Sequence, residues 1–236
     1  MNIALILSGG TGIRMGSDVP KQYVEVKGKP IICYSMERLA HHRQVDWIQI
    51  VAAQEWQEQI EQWMQKDEFK MKFRGFSIPG ANRQLSILNG LRDILSYGKE
   101  MDAVFVHDAA RPLLSDMQIT DCLEGIAGHD GVMPVLPMKD TVYSSLDGKS
   151  VGALLNRSEI YAGQAPEVFR LRKYYEANQR LLPDKILQIN GATEPAIMAG
   201  MDIAMIPGDE RNFKITTKTD LENFNRIVEE QYILAK

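Results

Sequence analysis

The chain has 236 residues, 44% hydrophobic and 25% charged, which excludes disorder and low complexity and leaves enough length to bury a core. A formal net charge of -4 supplies no basic footprint for nucleic acid or for an anionic membrane, so an anionic small substrate needs a locally positive pocket. Cys33 and Cys122 are too few and too far apart for a disulfide framework or a zinc site, and a reducing cytoplasm is the expected compartment.

In chain order, residues 3–7 (IALIL) read as a buried strand that begins with no basic leader segment, so a secretory signal is not expected. The strand runs into Ser8-Gly9-Gly10-Thr11-Gly12, and the lone cations Arg14 and Lys21 follow. Apolar residues at helical spacing predict helices over residues 31–39, 55–65, 83–95 and 118–126. Between them, residues 47–51, 103–106 and 131–135 predict strands, the last with a proline that suggests a sheet edge or a strand end. Strands alternating with helices imply an α/β fold, a mostly parallel sheet with helices on both faces and ligands at the carboxyl ends of the strands.

The pattern changes after Pro137. Residues 138–166 hold short β-like pieces at 141–143 and 151–155 around Leu146-Asp147-Gly148, as expected of a hairpin arm that packs on a partner subunit. Helices are predicted at 170–180 and 194–199, and strands at 203–206 and 213–215. A closing helix over 218–232 takes Thr217 or Thr219 as its cap. There is no internal repeat and no linker, so residues 1–236 are expected to form a single domain with a β-arm at about 138–166. No apolar run approaches the length of a membrane span.

A glycine-rich turn after a first strand commonly holds phosphate, because its backbone N–H groups line an anion-binding concavity and glycine permits a positive φ. The P-loop spacing is not met, since Lys21 lies too far along. The dinucleotide fingerprint fails at its third glycine, where Met15 stands, and the second strand ends Val51-Ala52-Ala53 without a ribose-binding acid. A tight strand-to-helix turn with two solvated cations is the competing reading of this segment alone.

The stretch from Leu7 to Gly16, then Pro20-Lys21-Gln22-Tyr23 and Gly28-Lys29-Pro30-Ile31, resembles the nucleotide-binding signature of sugar-phosphate and polyol-phosphate nucleotidyltransferases. Pro-Lys-Gln points to the branch of the 2-C-methyl-D-erythritol 4-phosphate and ribitol-5-phosphate cytidylyltransferases. Further agreement comes from Gly80-Ala81-Asn82-Arg83-Gln84-Leu85-Ser86, His107-Asp108-Ala109-Ala110-Arg111-Pro112, Lys139-Asp140-Thr141, Gln164-Ala165-Pro166 and Asn212-Phe213-Lys214-Ile215-Thr216, in family order over nearly the whole chain. The resemblance implies a Rossmann-like nucleotidyltransferase sheet with a protruding β-arm, and transfer of CMP from CTP to a polyol phosphate with loss of pyrophosphate.

By that resemblance Arg14, Lys21 and Lys214 are the catalytic cations, and Leu7, Ser8, Gly9, Gly10, Gly80, Arg83 and Ser86 hold the nucleotide. Asp108 holds Mg²⁺, while Arg111, Thr141 and Arg157 meet the acceptor, Arg157 from the partner's arm of a homodimer. Ser86 equally suits an early helix position that satisfies backbone groups, Lys214 a solvated strand end, and Asp108 a turn or cap. His107, ending a buried strand, reads as hydrogen-bonded scaffold. Two stretches depart from the family pattern on the acceptor side: Ala165 stands where the family commonly has threonine, and Asn190-Gly191-Ala192 where it commonly has Thr-Asp. Tyr161-Ala162-Gly163-Gln164 and the opening Ile6-Leu7-Ser8-Gly9-Gly10 resemble the ribitol-phosphate relatives and lean towards ribitol 5-phosphate as acceptor over methylerythritol phosphate. A non-catalytic nucleotide-binding protein is the reading from another class.

Overall fold

The computed structural model describes residues 1–10, 19–64 and 67–234. The first half contains β1 (Asn2–Leu7), a short ribbon of β2 (Glu25–Val26) and β3 (Lys29–Pro30), α1 (Ile31–His41), β4 (Trp47–Val51), α2 (Gln54–Trp63), α3 (Asp67–Lys72), β5 (Phe73–Ser77), α4 (Arg83–Ile94) and β6 (Ala103–Asp108). The second half follows with α5 (Asp116–Gly125), β7 (Gly131–Pro137), β8 (Val142–Ser144), β9 (Ala153–Leu155), β10 (Tyr161–Gly163), β11 (Glu167–Arg170), α6 (Leu171–Gln179), α7 (Glu194–Met198), β12 (Ile203–Pro207) and α8 (Lys218–Leu234).

β1 lies between β4 and β6, and β5 extends the sheet beyond β4, all parallel. On the other side β6 pairs with β11 and β11 with β7, both antiparallel, and β12 runs parallel to β7. Val135 pairs with Gly163 and also with Pro207, so β10 continues the place of β11 on one edge of β7 while β12 occupies the other. The mostly parallel α/β sheet expected from the sequence is therefore present.

The residues of β1 alternate between two cores. Ala4 and Ile6 face Ile32, Met36, Ile50, Phe105 and Ile119, while Ile3 and Leu5 face Ile87, Leu91, Val104, Phe169 and Tyr174. Burial on both faces is why the strand reads as an unbroken apolar run, and each such Ile or Leu contributes about 1.5–3 kcal/mol.

Two local expectations need correction, and the choice of cap for the closing helix is decided. Pro134 lies inside β7, which has a neighbour on each side. The antiparallel ladder skips Met133 and Pro134, so the residue without an N–H sits where the pairing passes from β11 to β10. Residues 213–215 are not a strand; their alternation comes from a loop crossing the end of β6, tied by Ile215 N–H to the Ala110 carbonyl at 2.8 Å. Thr217 caps α8, accepting from the Asp220 N–H at 3.2 Å, while the Asp220 carboxylate accepts from the N–H groups of Thr216 and Thr217 at 2.9 and 2.7 Å.

The hairpin of β8 and β9 stands apart from the main sheet, with Val142 opposite Leu155 and Ser144 opposite Ala153. Asp147 shapes its turn by accepting from the N–H groups of Lys149 and Ser150, both at 2.8 Å. Tyr143, Leu146, Val151 and Leu154 are exposed on it. The main sheet resumes at β10. Among the described residues, no helix is long and apolar enough to cross a membrane.

Candidate active site

Leu7 is in register with Val51 on one side and Asp108 on the other, so three parallel strands end level. The ladder extends one residue further through Ser8 N–H to the Val51 carbonyl at 2.8 Å and Ala109 N–H to the Leu7 carbonyl at 3.1 Å. The glycine turn and Asp108 therefore open on one edge of the sheet.

Close approach explains Gly9 and Gly80, whereas a Cβ on Gly10 would meet open space. A Cβ on Gly9 would lie 2.7 Å from the Pro79 ring, and one on Gly80 2.3 Å from Leu85 Cβ. Neither Gly9 nor Gly10 has the positive φ expected from the sequence. Thr11, Gly12 and Arg14 lie outside the described residues.

Two residues after Lys21 hold the turn from behind. Gln22 Nε2 donates to the carbonyls of Ser8 at 2.8 Å and Gly10 at 2.7 Å. Ser8 Oγ donates to the Tyr23 hydroxyl at 2.8 Å, and the hydroxyl donates to the Ser8 carbonyl at 3.1 Å. The Tyr23 ring stacks on Trp56 with centroids 4.4 Å apart. Ser8 thus points inward, and what the turn presents to a ligand are the Gly9 and Gly10 N–H groups, which have no partner among the described residues.

Asp108 is buried at the end of β6 and gathers cations from three separate segments. Its Oδ1 accepts from Arg83 Nε at 3.2 Å and Nη2 at 3.0 Å. Its Oδ2 faces Lys214 Nζ at 3.0 Å and Arg111 Nε at 3.6 Å. Burial alone would raise the pKa of this carboxyl; Arg83 and Lys214 hold it well below the ordinary carboxylate range. Arg83 opens α4, fixed there by the Asn82 cap, whose side chain accepts from Leu85 N–H at 2.8 Å. Ser86, one turn on, accepts from Gly80 N–H at 3.0 Å and donates to the Asn82 carbonyl at 2.9 Å, closing the 80–86 turn.

Lys21 Nζ donates to the Ile215 carbonyl at 2.7 Å, and Arg111 Nη1 donates to the Asn212 carbonyl at 2.7 Å. The loop carrying Lys214 is clamped in turn. Gln164 donates to the Asp209 carbonyl and accepts from the Asp209 N–H, both at 3.0 Å, and Asn212 Nδ2 donates to the Ala165 carbonyl at 2.8 Å. Lys21, Arg83, Asp108, Arg111 and Lys214 are thereby brought together. Thr141 and Arg157 are not: they share a cavity of about 470 Å³ under the hairpin with Leu154, Leu155 and Asn156. Arg157 Nη1 donates to the Lys139 carbonyl at 2.9 Å, and among the described residues no hydrogen bond or ion pair joins either side chain to the Asp108 cluster.

Glu167 was not singled out from the sequence. It begins β11, its Oε2 accepts from Thr193 Oγ1 at 2.6 Å, and its Oε1 lies 3.9 Å from Arg83 Nη2. Burial raises its pKa. The available signal was an acid set directly between Gln164-Ala165-Pro166 and the apolar pair Val168-Phe169.

His107 is scaffold. Its Nε2 donates to the Arg111 carbonyl at 3.1 Å, and burial lowers its pKa to about 4. A histidine whose folded pKa lies below its unfolded value of about 6.5 costs stability as pH falls between the two, because only the unfolded chain takes the proton. Between pH 7.5 and pH 5 this amounts to about 2 kcal/mol. Urea unfolding of His107→Gln at the two pH values is expected to show an acid loss smaller by that amount; an unchanged loss would mean that His107 titrates normally.

A family model described as 2-C-methyl-D-erythritol 4-phosphate cytidylyltransferase matches residues 2–230. The chain is 33% identical over 235 residues to the 2-C-methyl-D-erythritol 4-phosphate cytidylyltransferase of Nitrosomonas eutropha, covering 98% of each. It is 30% identical over 233 residues to the ribitol-5-phosphate cytidylyltransferase of Vibrio parahaemolyticus, covering 98% of this chain and 97% of the relative. With the bifunctional enzyme IspD/IspF of Maricaulis maris it shares 33% identity over 228 residues, 94% of this chain but 56% of the relative, so it spans about half the length of that protein. The solved structure of Francisella tularensis 2-C-methyl-D-erythritol 4-phosphate cytidylyltransferase (IspD) aligns with a TM-score of 0.80 at 26% identity, covering 95% of this chain and 98% of that one.

Proposed function

The chain belongs to the 2-C-methyl-D-erythritol 4-phosphate cytidylyltransferase (IspD) family, and on that premise we propose that it transfers CMP from CTP to a polyol phosphate. The observation that carries this reading is the gathering of Arg83, Arg111 and Lys214 around Asp108, with Lys21 held on the Lys214 loop through the Ile215 carbonyl, beside a turn whose Gly9 and Gly10 N–H groups have no partner among the described residues. An acceptor phosphate oxygen attacks the α-phosphorus, and the bond to the bridging oxygen of pyrophosphate breaks. Both reactants are anions, so the protein's task is to neutralise charge and hold the groups in line.

Lys21 and Lys214, with Arg14 from outside the described residues, are assigned to the α-phosphate. The turn formed by Leu7, Ser8, Gly9 and Gly10, with Gly80, Arg83 and Ser86, is assigned to CTP, the two glycine N–H groups serving as donors. Arg111, Thr141 and Arg157 are assigned to the acceptor. A single hard carboxylate at Asp108 fits a magnesium ion that keeps water and phosphate oxygens as its other ligands, and among the described residues no three acids, histidines or cysteines form a fuller cage. When bound, the ion supplies positive charge against the leaving pyrophosphate. Arg83 and Lys214, which lie on this carboxylate, are the cations nearest to a phosphate held there.

Ribitol 5-phosphate is the acceptor proposed first, supported by Tyr161-Ala162-Gly163-Gln164 and the Leu7-Ser8-Gly9-Gly10 opening. Methylerythritol phosphate is the second reading, favoured by the matching family model. The exposed Tyr143, Val151 and Leu154 of the hairpin support a homodimer through the arm. Incubation with CTP, Mg²⁺ and a panel of polyol phosphates, followed by pyrophosphate release, tests the proposal, and sedimentation of the same preparation reads the oligomer. Turnover with ribitol 5-phosphate supports the first acceptor and turnover with methylerythritol phosphate alone replaces it. CTP binding without turnover on any acceptor supports a nucleotide-binding protein instead.

A further inference from the structure

We infer that the Glu167 carboxylate is the group that recognises a hydroxyl of the polyol acceptor. The inference rests on the reading of the chain as a polyol-phosphate cytidylyltransferase.

Position comes first. Glu167 pairs with Val106 across the β11–β6 ladder, so its side chain stands on the same face of the sheet as Val106 and, two residues on, Asp108. Arg83 lies between the two carboxylates, 3.0 Å from Asp108 and 3.9 Å from Glu167. Glu167 is therefore part of the wall that carries the catalytic cluster.

The hydrogen-bond inventory separates the two acids. Both oxygens of Asp108 are occupied, one by Arg83 twice and the other by Lys214. Oε2 of Glu167 takes the Thr193 hydroxyl, whereas Oε1 has no hydrogen-bond donor among the described residues, since the Arg83 contact at 3.9 Å is too long to be one. The side chain keeps 12% of its surface accessible. A carboxylate oxygen offers several lone-pair sites, and an unfilled one in a largely buried wall is costly unless a ligand supplies the donor.

Chemistry then selects the ligand group. Both substrates carry phosphate, which a carboxylate repels. What a polyol phosphate has besides phosphate is a row of O–H donors. Glu167 accepts one of these and so orients the acceptor with its hydroxyl end at β11 and its phosphate towards the cations Arg111 and Lys214.

The sequence departures fall at the same place. Glu167 follows Gln164-Ala165-Pro166, and Thr193 follows Asn190-Gly191-Ala192, so one hydrogen bond joins the residues that directly follow the two stretches differing from the family pattern. Thr193 is a positioning residue in this arrangement, holding the carboxylate by its other oxygen.

The test measures KM for the accepted polyol phosphate and for CTP in the wild-type protein, Glu167→Ala and Thr193→Val, with thermal melting as a control for folding. Glu167→Ala is expected to raise the acceptor KM at least tenfold with the CTP KM within about twofold, and Thr193→Val to shift it the same way by less. An acceptor lacking single hydroxyls supplies the second readout: the deoxy compound that wild type discriminates against should be used by Glu167→Ala as well as the parent compound. An unchanged acceptor KM, an equal rise for CTP, or discrimination preserved in Glu167→Ala overturns the inference while leaving the transferase reading intact. No turnover by wild type on any acceptor overturns both.

Discussion

Lys21→Ala is expected to lower kcat about 10²–10³-fold while CTP affinity falls less than about tenfold. The ammonium donates to the Ile215 carbonyl at 2.7 Å, a hold that a phosphate oxygen can replace. Its removal leaves the turn supported by Gln22 and Tyr23, so the fold is expected to lose no more than about 1.5 kcal/mol. Charge that develops around the α-phosphorus in the transition state is then unmet, whereas ground-state CTP keeps its other cations and the Gly9 and Gly10 N–H groups. Steady-state pyrophosphate release set beside equilibrium CTP binding reads the split. Equal losses in both would make the lysine a binding group only.

Asp108→Asn carries the second large effect, and it acts on stability as well as rate. The carboxylate neutralises Arg83, Lys214 and Arg111 together, and removing one partner of a buried ionic cluster typically costs about 3–5 kcal/mol. In the ligand-free variant those cations are left facing one another, and pyrophosphate or CTP can relieve them. We expect urea unfolding to show a loss of that order, a larger stabilisation by added pyrophosphate than in wild type, and no turnover. Because the folded pKa of Asp108 is depressed, its contribution is fully present above the ordinary carboxylate range and is lost progressively as pH falls from there through the lower folded value. Wild-type stability in both respects would show that the cluster is not formed in solution.

The interior strands were legible because burial on both faces writes an unbroken apolar run, as in Ile3-Ala4-Leu5-Ile6. β5 left no such trace: Arg74 stacks on the Trp47 ring, 3.0 Å from its centroid, and Gly75 has φ +132°, so the strand reads as mixed polar chain. β11 was hidden by its neighbour, since Arg170 ends the strand and Leu171 starts α6 with no turn residue between them. Phe213-Lys214-Ile215 misled in the other direction, showing strand-like alternation in a loop whose apolar side chains plug the α8 core.

In the site, motif residues were readable one at a time, but their supports were not. Gln22, Gln164 and Asn212 act through main-chain carbonyls and amides, and a side chain that bonds to backbone leaves no partner identity in the sequence. Glu167 escaped because a lone acid at the start of a short strand looks like solvated surface until Arg83 and Thr193 are placed beside it.

The bond from Lys21 to the Ile215 carbonyl joins residues 194 positions apart. During synthesis the ribosome therefore makes the lysine long before the residue that receives it. The centre of the sheet, β4–β1–β6, has all its strands once residue 108 has emerged, yet the loop that brings Lys214 to Asp108 is made only after α5, β7, the hairpin, β11, α6, α7 and β12. A nascent chain can thus own the centre of its scaffold while its anion site stays unfinished, because pairings of large sequence separation have a large closure entropy to overcome.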